Sequence, residues 1–245
     1  MSHAFQRHGI EHLSCSSLSL WRSAPGLWAV QYLAKIKDGG NAAMWRGSAV
    51  EGGLSTLLRT NNIDAACSAA MQAFDLNAQG EVTNEINDER NLIVPMINQC
   101  ALWAPPSPLN ATQLRIEHWL DNIPVPIIGY LDFAFEDIDI DLKSTKACPS
   151  TPRAEHVRQV SLYRASRGRQ GGILYVTGKK HAYFNVDDDS MERSLGDLTA
   201  DALSLRNFLA RCESKQDALR SLPIDFEHFR APKVKIPLSE ILNAG

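Results

Sequence analysis

The stretch Gly129-Tyr130-Leu131-Asp132-Phe133-Ala134-Phe135-Glu136-Asp137-Ile138-Asp139-Ile140-Asp141-Leu142-Lys143-Ser144-Thr145 decides how the chain is read. Apolar residues recur at every second position on both sides of the acidic turn Glu136-Asp137, so the stretch reads as two short strands. In the second strand Ile138, Ile140 and Leu142 face a core, while Asp139, Asp141 and Lys143 share the opposite face. In the first, Leu131, Phe133 and Phe135 form the apolar face. Asp132 points the other way, where a hairpin brings it near Asp141. Two carboxylates beside an ammonium suit a hard divalent cation and a bound water. Acids at strand ends and turns are common, so Asp141-Leu142-Lys143 carries weight only in company.

Immediately upstream, Leu114, Ile116, His118 and Leu120 alternate with Arg115, Glu117 and Trp119, which reads as a strand. It turns at Asp121-Asn122 into the strand from Pro126 to Phe135. Glu117 suits the acids' face or, more simply, a cross-strand pair with a base. Everything before this has a helical period. A helix over about Asn41 to Arg59 carries Met44, Ala49, Leu54, Leu57 and Leu58, with Gly47, Glu51 and Ser55 at successive fourth positions. Glu51 therefore stands on a stripe of small residues open to close approach, although pattern alone favours an ordinary exposed helix carboxylate. Earlier still, Ser17 or Ser19 is the expected cap for Leu20, Trp21, Leu27, Trp28 and Tyr32, with Pro25-Gly26 leaving one helix or two open and Gly39-Gly40 ending the unit. Helices are also expected over 64–76 and 84–103, the second kinked or divided at Pro95 and stopped by Pro105-Pro106.

Downstream, residues 153–167 read as a helix that puts His156, Gln159 and Tyr163 at positions i, i+3 and i+7, with Arg158 and Arg164 expected to be exposed. A hairpin over 172–177 and 181–186, turning at Gly178-Lys179, precedes an amphipathic helix over 197–222. The tail, with Pro232 and Pro237, reads as an irregular wrap or a partly mobile end.

With 245 residues, 44% of them hydrophobic, the chain can build a sizeable core. The expected organisation is one domain over 1–245, with a helical part over about 14–104, a sheet core over about 112–186 and the C-terminal helix. The net charge of −3 hides an uneven distribution: Lys143 to Lys180 carries nine Lys or Arg against one acid, a segment charge of +8 that leaves −11 for the rest. A basic stretch after an acidic site suits a polyanion, and charge alone suits a solvated helix face equally well. Five cysteines without a Cys-x-x-Cys pair point to a reducing compartment. No apolar run approaches a membrane span and no targeting segment is evident, so a cytoplasmic location is expected, in the host's cytoplasm if the chain is phage-encoded.

Taken together, these pieces resemble the PD-(D/E)XK nuclease superfamily, in particular its RecB-like exonuclease branch, which includes phage recombination exonucleases. The matching pieces arrive in order over roughly residues 14 to 186. Ser14-Cys15-Ser16-Ser17-Leu18-Ser19-Leu20-Trp21 followed by Ala24-Pro25 resembles the family's N-terminal helix signature. Gly47-Ser48-Ala49-Val50-Glu51 is similar to the glycine-x-x-x-acid motif, Gly129-Tyr130-Leu131-Asp132 to the second motif, and Asp141-Leu142-Lys143 to the (D/E)XK element. Gln159-Val160-Ser161-Leu162-Tyr163 is similar to the Gln-x-x-x-Tyr motif of the RecB-like branch.

The resemblance implies an α/β fold with a restriction-endonuclease-like core, a central mixed β-sheet flanked by helices and an N-terminal helical layer. It implies that Glu51, Asp132 and Asp141 hold one or two Mg²⁺ or Mn²⁺ ions, with the Leu142 carbonyl as a further ligand. Lys143 orients the attacking water and helps to deprotonate it. Gln159 and Tyr163, with Arg158, Ser144 and Thr145, contact DNA or position the site. The implied activity is a metal-dependent DNA exonuclease in recombination, repair or phage DNA processing. Open beside it stand a structure-specific or restriction-type endonuclease and a non-catalytic DNA-binding protein of the same fold. Homo-oligomers and a single-strand annealing or helicase partner are open to such a protein, and a membrane is not expected. Many relatives carry histidine where this chain has Glu51, which favours an all-oxygen site here. Some hold an iron-sulfur cluster, but Ala24 replaces the first cysteine and Cys212 stands alone near the C-terminus, so none is expected.

Overall fold

The computed structural model of the chain describes residues 3–36, 40–103 and 107–225. In chain order it forms helices α1 (Ala4–Arg7), α2 (Cys15–Ser23), α3 (Pro25–Tyr32), α4 (Ala42–Thr60), α5 (Ile63–Ala78), α6 (Asn84–Asn91) and α7 (Ile93–Leu102). Strands β1 (Leu109–His118), β2 (Ile127–Phe135) and β3 (Ile138–Ser144) follow, then α8 (Ala154–Arg167), β4 (Gln170–Val176), β5 (His181–Asn185), α9 (Asp188–Arg211) and α10 (Lys215–Arg220). The five strands lie in sequence order in one mixed sheet flanked by helices, as the α/β expectation required. β2 and β3 are antiparallel, with Phe133 opposite Ile140 and Ala134 opposite Asp139. β3 and β4 are parallel, which requires a crossover, and α8 supplies it.

The chain divides into two compact units. One gathers residues 40–115 and 130–191. Its core packs Phe133, Phe135, Ile140, Leu142, Leu174 and Val176 of the sheet with Val50, Leu54, Phe74, Ile93, Met96 and Ile97 of the helices. Phe133 and Phe135 are fully buried, each contributing about 1.5–3 kcal/mol of hydrophobic stabilisation. On the other side of the sheet Val160 of α8 packs with Ile173, Tyr175 and Val186. The period of two in the sequence is thus resolved into two covered faces. The other unit gathers 1–39, 116–129 and 192–245. There the Trp21 and Trp28 rings meet edge to face at 5.4 Å, and Arg22 Nε donates to both Asp201 oxygens at 2.9 Å.

Several expectations are corrected. Ser14, not Ser17 or Ser19, caps α2. It accepts from the Ser17 amide while the Ser17 hydroxyl accepts from the Ser14 amide, a reciprocal cap. The choice left open at Pro25-Gly26 resolves to two helices, α2 and α3, with Pro25 in the first turn of α3. The division in the 84–103 segment falls at Leu92. Pro95 sits in the first turn of α7, where no intrahelical amide bond is lost. The C-terminal helix starts nine residues earlier than expected, because Asp187 Oδ1 accepts from the Ser190 amide at 2.7 Å, and it is broken after Arg211 by a new cap at Ser214. The close approach of α4 lies at Gly53, not on the Glu51 stripe. A Cβ there would meet Ile97 Cδ1 at 2.4 Å and Ala70 Cβ at 3.0 Å, whereas one at Gly47 would meet only Ser144 Oγ at 3.7 Å. The expectations for Gly39, Pro105-Pro106, Pro232 and Pro237 lie outside the described residues. All five cysteines are free thiols.

Candidate active site

The hairpin register puts the acids together. Continuing it one step from Phe133 and Ile140 sets Asp132 opposite Asp141. Asp132 Oδ2 accepts from the Leu142 amide at 2.8 Å, so the second strand's backbone clamps the first strand's carboxylate. Asp141 is fully buried, and its Oδ2 lies 2.7 Å from Lys143 Nζ. Among the described residues no donor reaches Asp141 Oδ1. From Lys143 a chain of hydrogen bonds runs through the Gln-x-x-x-Tyr motif of α8. Lys143 Nζ donates to Gln159 Oε1 at 3.1 Å, Gln159 Nε2 to the Tyr163 hydroxyl at 2.8 Å, and that hydroxyl to the Tyr130 carbonyl at 2.8 Å. The spacing of four residues puts Gln159 and Tyr163 on one helix face, and the chain returns to the strand that carries Asp132.

Glu51 arrives from α4, whose start is capped by Asn41 and which closes on a left-handed Asn61. Arg46, five residues before it and buried, sets the helix against the strand end: it pairs with Glu89 of α6 and donates from Nη2 to the Ser144 carbonyl at 3.1 Å. Lys146 pairs with the same Glu89 at 2.6 Å. Gln113 of β1 then joins Glu51 to the site. Its side-chain amide donates to Glu51 Oε1 and, at 3.3 Å, to Asp132 Oδ1.

Ser144 and Thr145 serve the strand end. The Ser144 carbonyl receives Arg46, the Thr145 amide donates to the Val176 carbonyl at 2.9 Å, and its hydroxyl donates to the Ala147 carbonyl at 3.0 Å. Arg158 and Arg164 are not exposed as expected; 8% and 5% of their surfaces remain accessible. Arg164 reaches the Val186 carbonyl at 2.5 Å and Asp188 at 2.7 Å, so its charge closes the α8 crossover instead of facing solvent. Arg167 holds Asp139 at 2.7 Å, and Arg169 donates to the Phe135 and Glu136 carbonyls. Much of the segment's positive charge is therefore spent inside the unit. Arg46, Gln113 and Tyr175 are site neighbours the sequence did not single out. The Tyr175 hydroxyl is 2.6 Å from His156 Nδ1 and accepts from the Arg153 amide at 3.1 Å.

Burial pushes the Asp132 carboxyl well above the ordinary carboxylate range, and the Asp141 charge adds to it. Burial raises Asp141 as well, against the pull of Lys143. Glu51 is raised by burial, against the hydrogen bond from Gln113 and with the Asp141 charge adding. Burial alone would lower the Lys143 ammonium, but the Asp141 and Asp132 charges outweigh it and leave it raised. Carboxyls whose pKa is higher folded than unfolded bind protons more tightly in the folded state. Their destabilising effect is full above the raised values and fades as pH falls through them. In EDTA the pH dependence of melting should therefore be shallower in Asp132→Asn than in the wild type between about pH 5 and 8, with the variant gaining most at the alkaline end. Identical melting profiles for the two proteins would contradict the shift.

Among the described residues no three His, Cys, Asp or Glu side chains stand as a ready-made metal cage. The donor set nevertheless fits a hard cation. It offers three carboxylates whose pKa values burial raises and one buried carboxylate oxygen without a donor.

No protein-family model matches the chain, and no curated protein matches it. Among solved structures, a Eubacterium rectale protein provisionally named an exonuclease has the same fold. It is 13% identical, with a TM-score of 0.56, over 94% of this chain and 92% of that one. LHK-Exo, solved in complex with dAMP, is 13% identical with a TM-score of 0.35 over 68% of this chain and 94% of its own, a likeness too distant to argue from.

Proposed function

We propose that this chain is a Mg²⁺- or Mn²⁺-dependent deoxyribonuclease of the PD-(D/E)XK, RecB-like kind, releasing nucleotides from DNA ends during recombination or repair. One arrangement carries the reading. Asp132 and Asp141 stand with the Lys143 ammonium, itself 2.7 Å from Asp141 and 3.1 Å from Gln159, and the Gln113 amide ties Glu51 to Asp132. When bound, the metal would supply positive charge to the scissile phosphate and acidify a water. Asp132, Asp141 and Glu51 would hold it, and the Leu142 carbonyl would be a further ligand. Lys143, kept cationic by its neighbours, orients the water and meets charge developing on the phosphoryl oxygens. Gln159 and Tyr163 fix where that ammonium points.

The phosphate track is assigned to Lys146, Arg153, Lys179 and Lys180. Arg153, Lys179 and Lys180 are exposed, and the Lys146 side chain is 66% exposed. All four lie beyond the carboxyl ends of the parallel pair β3 and β4 or at the start of α8, the end of an open sheet where ligands bind. Arg158 is left out of this track because its guanidinium is buried.

The test is incubation with Mg²⁺ and either linear or covalently closed circular DNA. Release of nucleotides from linear DNA with circles left intact supports the exonuclease reading. Nicked circles point instead to an endonuclease, and no cleavage by folded protein that binds DNA points to a binding module. Mn²⁺ should also raise the melting temperature, and by more at about pH 8 than at about pH 5, because protons and metal compete for the same carboxylates. Equal shifts at both pH values would count against the proposed ligands.

A further inference from the structure

Gln113 is a polar residue in the middle of a strand, yet its backbone is left-handed, with φ +51°. Neither glycine nor asparagine occupies the position, so nothing in its own side chain favours that conformation. Such an outlier persists where surrounding contacts over-determine it, and it re-aims a side chain much as a bulge does. One residue earlier the Thr112 hydroxyl accepts from Arg59 Nη2 at 2.7 Å, pinning β1 to the helix that bears Glu51. The re-aimed amide then lies between two carboxylates, donating to Glu51 Oε1 and to Asp132 Oδ1. Ionised carboxylates only accept, so the NH₂ and not the carbonyl must face them. An amide nitrogen of this kind is no ligand for a hard cation, and its polarised hydrogens repel one.

We propose that Gln113 is a placeholder: the amide that bridges Glu51 and Asp132 and a divalent cation held by the same two carboxylates exclude each other, so a cation must displace it to enter. This rests on the metal-dependent reading given above. The bridge offsets repulsion between the acids and keeps Glu51 near β2. Because the bridge and the cation exclude each other, the bridge weakens cation binding by the same factor. Gln113 is thus a positioning residue whose removal should improve metal affinity, the opposite of what loss of a ligand or of a merely structural contact would do.

The test is titration calorimetry of the whole chain with Mn²⁺ at about pH 8, where protons compete least for the carboxylates. Gln113→Ala is expected to bind Mn²⁺ about tenfold more tightly than the wild type, the weight of two hydrogen bonds to charged groups less what water restores. Melting should drop for the variant in EDTA and approach the wild-type value under saturating Mn²⁺. Gln113→Gly, which suits the left-handed backbone, gives the same comparison should the alanine variant fail to fold. Equal or weaker Mn²⁺ affinity in the variants, with binding intact in the wild type, overturns the placeholder alone. Absence of Mn²⁺ uptake by the wild type defeats the metal-dependent reading and the placeholder with it.

Discussion

Asp141→Ala is expected to abolish cleavage, with kcat falling about 10³-fold or more, and to remove most of the Mn²⁺ affinity at the same time. Asp141 is fully buried, and among the described residues its Oδ1 meets no donor, an orphaned oxygen whose cost a cation would relieve. Two effects on folding oppose each other in this variant. Lys143 loses a partner at 2.7 Å, while Asp132 loses the charge that helps to push its own pKa up. The melting temperature in EDTA should therefore move little, and the increase brought by Mn²⁺ should vanish. Asp141→Asn keeps the volume and should behave alike in the cleavage assay. A variant that melts like the wild type, binds Mn²⁺ like the wild type and still cleaves would remove Asp141 from the site.

The strand pair was legible because its two signals coincide. A period of two sorts the apolar from the charged residues, and a two-residue acidic turn fixes the register that sets Asp132 against Asp141. The α8 motif was legible for a similar reason, since a spacing of four can only mean one helix face. What escaped were contacts made across long stretches of chain. Arg46 meets Glu89 forty-three residues away, and nothing local separates it from an exposed helix arginine. Gln113 reads as the solvent-facing member of an alternating strand, and its left-handed backbone carries none of the usual residue signals. Charge counting erred in one direction. Of the nine cations between Lys143 and Lys180, Arg158 and Arg164 are buried, Lys143 and Arg167 are committed to aspartates and Arg169 to backbone carbonyls, and Lys146 is paired with Glu89 though its side chain stays exposed. A sequence total of +8 thus overstates what a phosphate backbone would meet.

Lys143→Ala is expected to separate metal binding from turnover. The ammonium touches Asp141 at 2.7 Å and Gln159 at 3.1 Å, so its loss frees a carboxylate without removing one. Mn²⁺ affinity should hold or rise, since a cation that competed for Asp141 is gone. Turnover should nonetheless fall about 10²- to 10⁴-fold, the range for a group that positions a proton and meets transition-state charge. Affinity for DNA should change little if Lys146, Arg153, Lys179 and Lys180 form the track, and it should fall steeply with added salt in wild type and variant alike. The hydrogen-bond chain gives the prediction a graded form. Tyr163→Phe keeps the ring but deletes the hydroxyl joining Gln159 to the Tyr130 carbonyl. It should lower kcat by about tenfold through a misplaced ammonium, less than the loss of the ammonium itself. Near wild-type cleavage by Lys143→Ala under saturating Mn²⁺ and DNA would make the Asp-Leu-Lys strand ordinary sheet chemistry. A Tyr163→Phe defect equal to that of Lys143→Ala would instead mean that the tyrosine acts on the substrate directly.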